Sequence, residues 1–152
     1  MLRSWRLRRH LHWWTVAFLG LGFPIAWIMT SLPLTLLLIK FLLYQVHKSL
    51  GLLILCIVIA RLALIWRVTG PPRGQRAALF SLLLVVPVLG YLTATTSPTP
   101  VPTMFLLLLP VPHLTGPDPA AYEVVRQLHQ WLAIALVGLG CWHGMRAWRV
   151  ST

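Results

Sequence analysis

Four long apolar stretches follow one another along the chain, separated by short connections rich in Pro, Gly, Arg or Thr. A helix needs roughly 20 apolar residues to cross the hydrocarbon core, and each stretch meets that length. The pattern predicts helices over about 11–31, 36–66, 77–95 and 122–148. Pro24 lies inside the first and Pro33 closes it, while Pro87 is expected to kink the third. The second is longer than a bilayer requires, so its first turns should stand proud of the membrane or tilt. A fifth apolar piece, about 101–112, is too short to cross and is fenced by Pro100, Pro102, Pro110 and Pro112. It is expected to be an interfacial segment resting on the bundle. The expected fold is an all-α integral membrane protein: a four-transmembrane-helix bundle forming a single domain over 1–152.

Composition agrees with that class. Of the 152 residues 58% are hydrophobic and 10% charged, far from the balance of a soluble domain. Thirteen Lys and Arg face only Asp118 and Glu123, for a net charge of +11. Such a balance can indicate nucleic acid, but these cations flank apolar runs instead of forming one patch with interleaved aromatics. They read as membrane-edge anchors. Arg3, Arg6, Arg8 and Arg9 precede the first span, Arg67, Arg73 and Arg76 follow the second, and Arg146 and Arg149 close the fourth. Lys40, Lys48 and Arg126 alone mark the other face. The positive-inside rule then sets both termini in the cytoplasm, and in a bacterium the location is the inner (plasma) membrane, crossed several times. The basic N-terminus resembles the charged region of a signal peptide, but the apolar run after it is too long and lacks a clear small-residue cleavage site. A retained first helix is expected. Cys56 and Cys141 each sit alone in an apolar run, so neither a disulfide framework nor a thiolate metal site is suggested, and no covalent haem-attachment motif is present.

Ionisable residues within a membrane are costly and mark function, and five of six histidines fall in or at the ends of the spans. His129 and His143 are 14 residues apart in the fourth helix, which at ~1.5 Å per residue puts them about 21 Å apart on nearly one face. Ala133, Leu136 and Gly140 lie between them, leaving room for a bulky flat group. His47, near the outer end of the second helix, can meet His129. His12 or His10, at the inner end of the first, can meet His143. The latter two lie about 200° apart around their helix, so only one can face inward, and His12 is the deeper. Two layers of paired imidazoles are what two non-covalent b-type haems in a four-helix bundle require. His12 and His143 would ligate an inner haem iron, His47 and His129 an outer one. A zinc or copper site would need three or four ligands around one ion. His10 and His113 are expected to be solvated.

Further residues extend these layers. Arg61 lies 14 residues after His47 on the same stripe, at the depth of His143. A buried arginine needs an anion, and an inner haem propionate is a natural one; snorkelling to the cytoplasmic interface is the alternative. Lys48 and Arg126 could serve propionates on the outer side. Gly51, one turn beyond His47, would let a macrocycle approach the backbone.

The segments Leu11-His12-Trp13, Val46-His47-Lys48-Ser49-Leu50-Gly51 through Arg61, Pro87-Val88-Leu89-Gly90-Tyr91, and Leu128-His129 with His143 resemble the bacterial cytochrome b561 family. These dihaem four-helix membrane cytochromes are themselves similar to the b-type subunits of hydrogenases and formate dehydrogenases. The resemblance covers all four helices. It implies haem ligation by the same four histidines, transmembrane electron transport and quinone, such as ubiquinone, as a redox partner. One branch oxidises superoxide and reduces ubiquinone, so a superoxide:ubiquinone oxidoreductase is one implied activity. The chain departs from the family where Arg76 replaces a histidine common at the start of the third helix, and where Val150 and Ser151 stand in place of a His pair. Two other readings compete: a haem-bearing anchor subunit of a dehydrogenase complex, and a non-haem transporter or structural bundle.

Overall fold

The computed structural model describes residues 2–151, with side chains over 5–68 and 70–149; those of Arg3, Val150 and Ser151 lie outside that set. Four helices run up and down: α1 (Leu2–Ser31), α2 (Leu37–Thr69), α3 (Gln75–Thr96) and α4 (Pro119–Ser151). All four are long and apolar enough to cross a membrane. The chain is a multi-pass bundle. Much of each helix surface is apolar and unburied: Trp27, Leu38 and Trp131 are each about 70% exposed. Side chains of that kind are suited to lipid, since each helix satisfies its own backbone.

Every helix exceeds the span expected for it. α1 begins at Leu2 and not near Leu11, because the Arg-, Leu- and Trp-rich tail contains good helix formers and no breaker. α2 reaches Thr69, where Gly70 turns the chain with φ 75°, a conformation that suits glycine. A short 3₁₀ turn, Leu34–Leu36, follows Pro33 and leads into it. α4 begins at Pro119 instead of Tyr122. Asp118 Oδ1 accepts from Ala120 N and Ala121 N at 3.1 and 3.0 Å, and Pro119 fills the first helical position, a start signal independent of hydrophobicity.

The four-helix, all-α architecture holds, and the segment 101–112, expected as an interfacial piece, carries a small β element of its own. It is a two-stranded antiparallel hairpin, β1 (Thr103–Phe105) with β2 (Leu109–Val111), in register Thr103↔Val111 and Phe105↔Leu109. Its tip carries Leu106 and Leu107 at φ 53° and 62°, a turn normally filled by Asn-Gly, which is why the sequence shows no hairpin signal. Tertiary bonds hold the segment. Gln45 of α2, fully buried, donates from Nε2 to Pro102 O and accepts from Met104 N, at 2.8 and 2.9 Å. Ser49 Oγ accepts from Leu106 N at 2.9 Å. From α3, Tyr91 Oη donates to Pro112 O at 2.7 Å, and Asp118 N donates to Thr96 O at 2.9 Å.

Ile54 and Val58 of α2, Phe80, Leu83 and Val86 of α3 and Leu136 of α4 form the core, with Phe18 and Leu19 of α1 packed on it. Above and below this plug the helices part. Two cavities result, one toward each end of the bundle, and no residue lines both.

Candidate functional site

The cavity beneath the hairpin has a volume of about 480 Å³, inside the ~300–1,000 Å³ range of small-molecule sites. His47 enters it from α2 and His129 from α4. Each ring is anchored to another helix through Nδ1: His47 to Gly22 O of α1 at 3.1 Å, His129 to Val86 O of α3 at 2.9 Å. A carbonyl can only accept, so in both rings Nδ1 carries the proton and Nε2 keeps its lone pair. That is the orientation by which proteins prepare histidine for a metal.

The two rings lie 6.2 Å apart, centroid to centroid, with planes at 80°. Metal–imidazole bonds are about 2.0 Å and a ring centroid lies about 1.1 Å behind its nitrogen, so two imidazoles on opposite sides of one metal would sit about 6.2 Å apart. The observed spacing matches. Gly90 of α3 makes room for it: a Cβ there would stand 2.9 Å from His129 Cε1. Gly51 also lines the cavity, and nothing lies within 4 Å of where its Cβ would be. The residues therefore suit a haem held by two imidazoles.

Both accepting carbonyls lie one or two residues before a helical proline, Gly22 before Pro24 and Val86 before Pro87.

Lys48 lines the same cavity, with Nζ donating to Val101 O at 3.2 Å, and Lys40, also lining it, donates to Leu32 O at 2.7 Å. Arg126 is absent from its lining: the guanidinium is paired with Glu123 at 2.6 Å on the surface of α4. Its suggested propionate role is corrected accordingly, since i, i+3 spacing gives it a nearer carboxylate. His113 is tied to the hairpin, with Nε2 3.3 Å from Thr103 Oγ1, and is only half-exposed. Burial lowers its pKa below the ordinary value, and the nearby Lys48 charge lowers it further. Gln45 and Ser49, which seat the hairpin over the cavity, were not singled out from the sequence. The available signal was a pair of polar residues four apart within an apolar span.

The second cavity, about 1300 Å³, contains His12 of α1, Arg61 of α2 and Gly140 with His143 of α4. His10 is exposed. Arg61 does not snorkel. It crosses to α1, where Nη1 donates to Thr15 Oγ1 at 3.2 Å and Nη2 lies 3.3 Å from His12 Nδ1, and its guanidinium stacks over Phe80 at 5.0 Å. Arginine has no acceptor, so His12 Nδ1 must accept and its proton must sit on Nε2. This tautomer is the reverse of that at His47 and His129. His12 and His143 line one cavity, yet of the two pairs only His47 and His129 make a ring contact among the described residues. His12 and His143 have the donors for a metal, but not in a prepared form.

Among the described residues no three of His, Cys, Asp or Glu gather into an ion's ligand set. A structural zinc or copper site of the usual kind lacks its donors here, whereas a bis-imidazole site needs two. No family model matches the chain, and no curated protein matches it.

Proposed function

We propose that the chain is a cytochrome b561-like membrane protein that carries two b-type haems and moves electrons between them and a quinone. The observation supporting this reading best is the outer pair: two imidazoles from different helices, both with Nδ1 fixed by backbone carbonyls, at the spacing of trans ligands. In the proposal both termini face the cytoplasm and the membrane is the bacterial inner membrane, as the flanking arginines indicate.

Haem supplies one-electron chemistry when bound, with a potential set by its ligands, burial and nearby charge. The chain's residues do the rest. His47 and His129 hold the outer group, and their donated Nδ1 protons keep Nε2 basic toward iron. With two histidines to hold it, such a group would serve electron transfer. Lys40 and Lys48 line the outer cavity, where their charge suits propionates and attracts a small anion such as superoxide. The apolar walls, including Leu34, Leu37 and Phe41, suit a quinone ring. At the inner level His12 and His143 are the donors, and Arg61 supplies a cation for carboxylates. Ligation by His12 there requires its proton to move to Nδ1 and Arg61 to turn away.

A reduced-minus-oxidised visible spectrum of the purified protein tests the reading. A b-type spectrum that weakens by about half in His129→Ala is expected. A protein that purifies folded and colourless would overturn it in favour of a transporter or structural bundle, and co-purification of a dehydrogenase would favour the anchor role.

A further inference from the structure

The chain's two carboxylates are both committed at the hairpin end. Asp118 caps α4 and Glu123 pairs with Arg126. Among the described residues the opposite cavity is lined by six arginines (Arg8, Arg9, Arg61, Arg73, Arg76 and Arg146) and by no acidic residue. Like charges gathered in one concavity repel, so such a site attracts anions. The two carboxylates of the proposed inner haem would leave most of these arginines uncompensated.

Three features place the surplus at the rim. Arg8 Nε and Gln75 Nε2 are buried donors with no hydrogen-bond partner among the described residues, and both residues line the cavity. Buried polar atoms in folded proteins are nearly always satisfied, so orphans in a cavity point to a missing acceptor. The N-terminus of α3, a helix of 22 residues, opens there at Gln75 with no acidic residue in its first turn and no side-chain cap; its free N–H groups favour an anion. Arg73 and Arg76 flank that terminus. The walls toward the core are apolar, with Leu19, Ile65 and Leu79.

We infer that this rim binds the phosphate of an anionic phospholipid, whose acyl chains follow the apolar wall. Arginine is suited to phosphate by its bidentate donors, and basic pockets between transmembrane helices on the cytoplasmic side take such headgroups. The site does not depend on the haem proposal.

The test uses the full chain, purified with the cofactors it carries and placed in phosphatidylcholine nanodiscs containing phosphatidylglycerol, with retained lipid read by native mass spectrometry. Phosphatidylglycerol is expected to be retained well above its share of the bilayer. Arg73→Gln with Arg76→Gln should weaken it about 25-fold, at about fivefold for each arginine near a membrane surface. Lysine at both positions keeps the charge but loses the bidentate donors, so it should restore only part of the binding, and Arg126→Gln, at the other end, should leave all of it. If the double variant does not fold, Arg146→Gln alone should still give about fivefold. Retention in proportion to bilayer composition, or a preference unmoved by these substitutions, would overturn the site. Inorganic phosphate that displaces the lipid at equal concentration would overturn the lipid as its source and assign a free anion. The readout counts lipid and not haem, so failure here is distinct from failure of the cytochrome reading.

Discussion

His129 is constrained on two sides, by Val86 O at Nδ1 and by the bare Cα of Gly90 against its ring. The competing effects at Gly90 make a sharp test. In a helix interior, Gly→Ala ordinarily stabilises by about 0.5–1 kcal/mol, whereas forcing a methyl into a packed contact costs about 1–3 kcal/mol. Gly90→Ala is therefore expected to lower thermal stability in detergent and to displace His129; a rise in melting temperature would refute the packing account. Arg61 offers a second test. Replacing it with Leu removes a cation from the inner cavity, which disfavours the electron-rich state. The midpoint potential of the inner centre should fall by tens of millivolts in a redox titration, roughly 60 mV for each tenfold change in a one-electron equilibrium. An unchanged potential would place Arg61 outside that centre's field. Residue identities and depths were legible in the sequence because helix periodicity converts spacing into position. Hydrogen-bond partners were not, since Gly22 O and Val86 O are backbone atoms that any residue would supply.

At the scale of elements, hydrophobicity located all four helices and misplaced their ends. It measures what lipid tolerates, while helices stop at caps, prolines and glycines, as at Asp118-Pro119 and Gly70. The hairpin escaped because it is imposed by tertiary bonds from Gln45 and Ser49 and carries two leucines at positive φ, a conformation costing roughly 1–2 kcal/mol per residue. Those bonds must outweigh that strain. His113 makes the element pH-sensitive. Its pKa is depressed in the folded chain, so as pH falls through the ordinary histidine value the unfolded segment takes a proton first, and stability is lost. Hydrogen-exchange protection across residues 103–111, corrected for the intrinsic rate at each pH, should therefore fall between pH about 7.5 and about 5.5. His113→Gln should abolish that dependence; protection that rises on acidification would contradict the sign.

Across the whole molecule, α1 to α4 pack around one apolar plug with a cavity at either end. The sequence conveyed two histidine layers, but their inequality emerges only from the fold. His47 and His129 are the prepared pair: each ring is fixed through Nδ1 and keeps its Nε2 lone pair, and the two lie 6.2 Å apart. In the inner layer His12 is held by Arg61 in the opposite tautomer. The central claim is that the outer pair grips a haem, and the most direct measurement is haem content per chain in the wild type, His47→Ala and His143→Ala. The account predicts two, one and one, with different haems lost from the two variants, as their redox titrations would show. Undiminished haem in His47→Ala would contradict it.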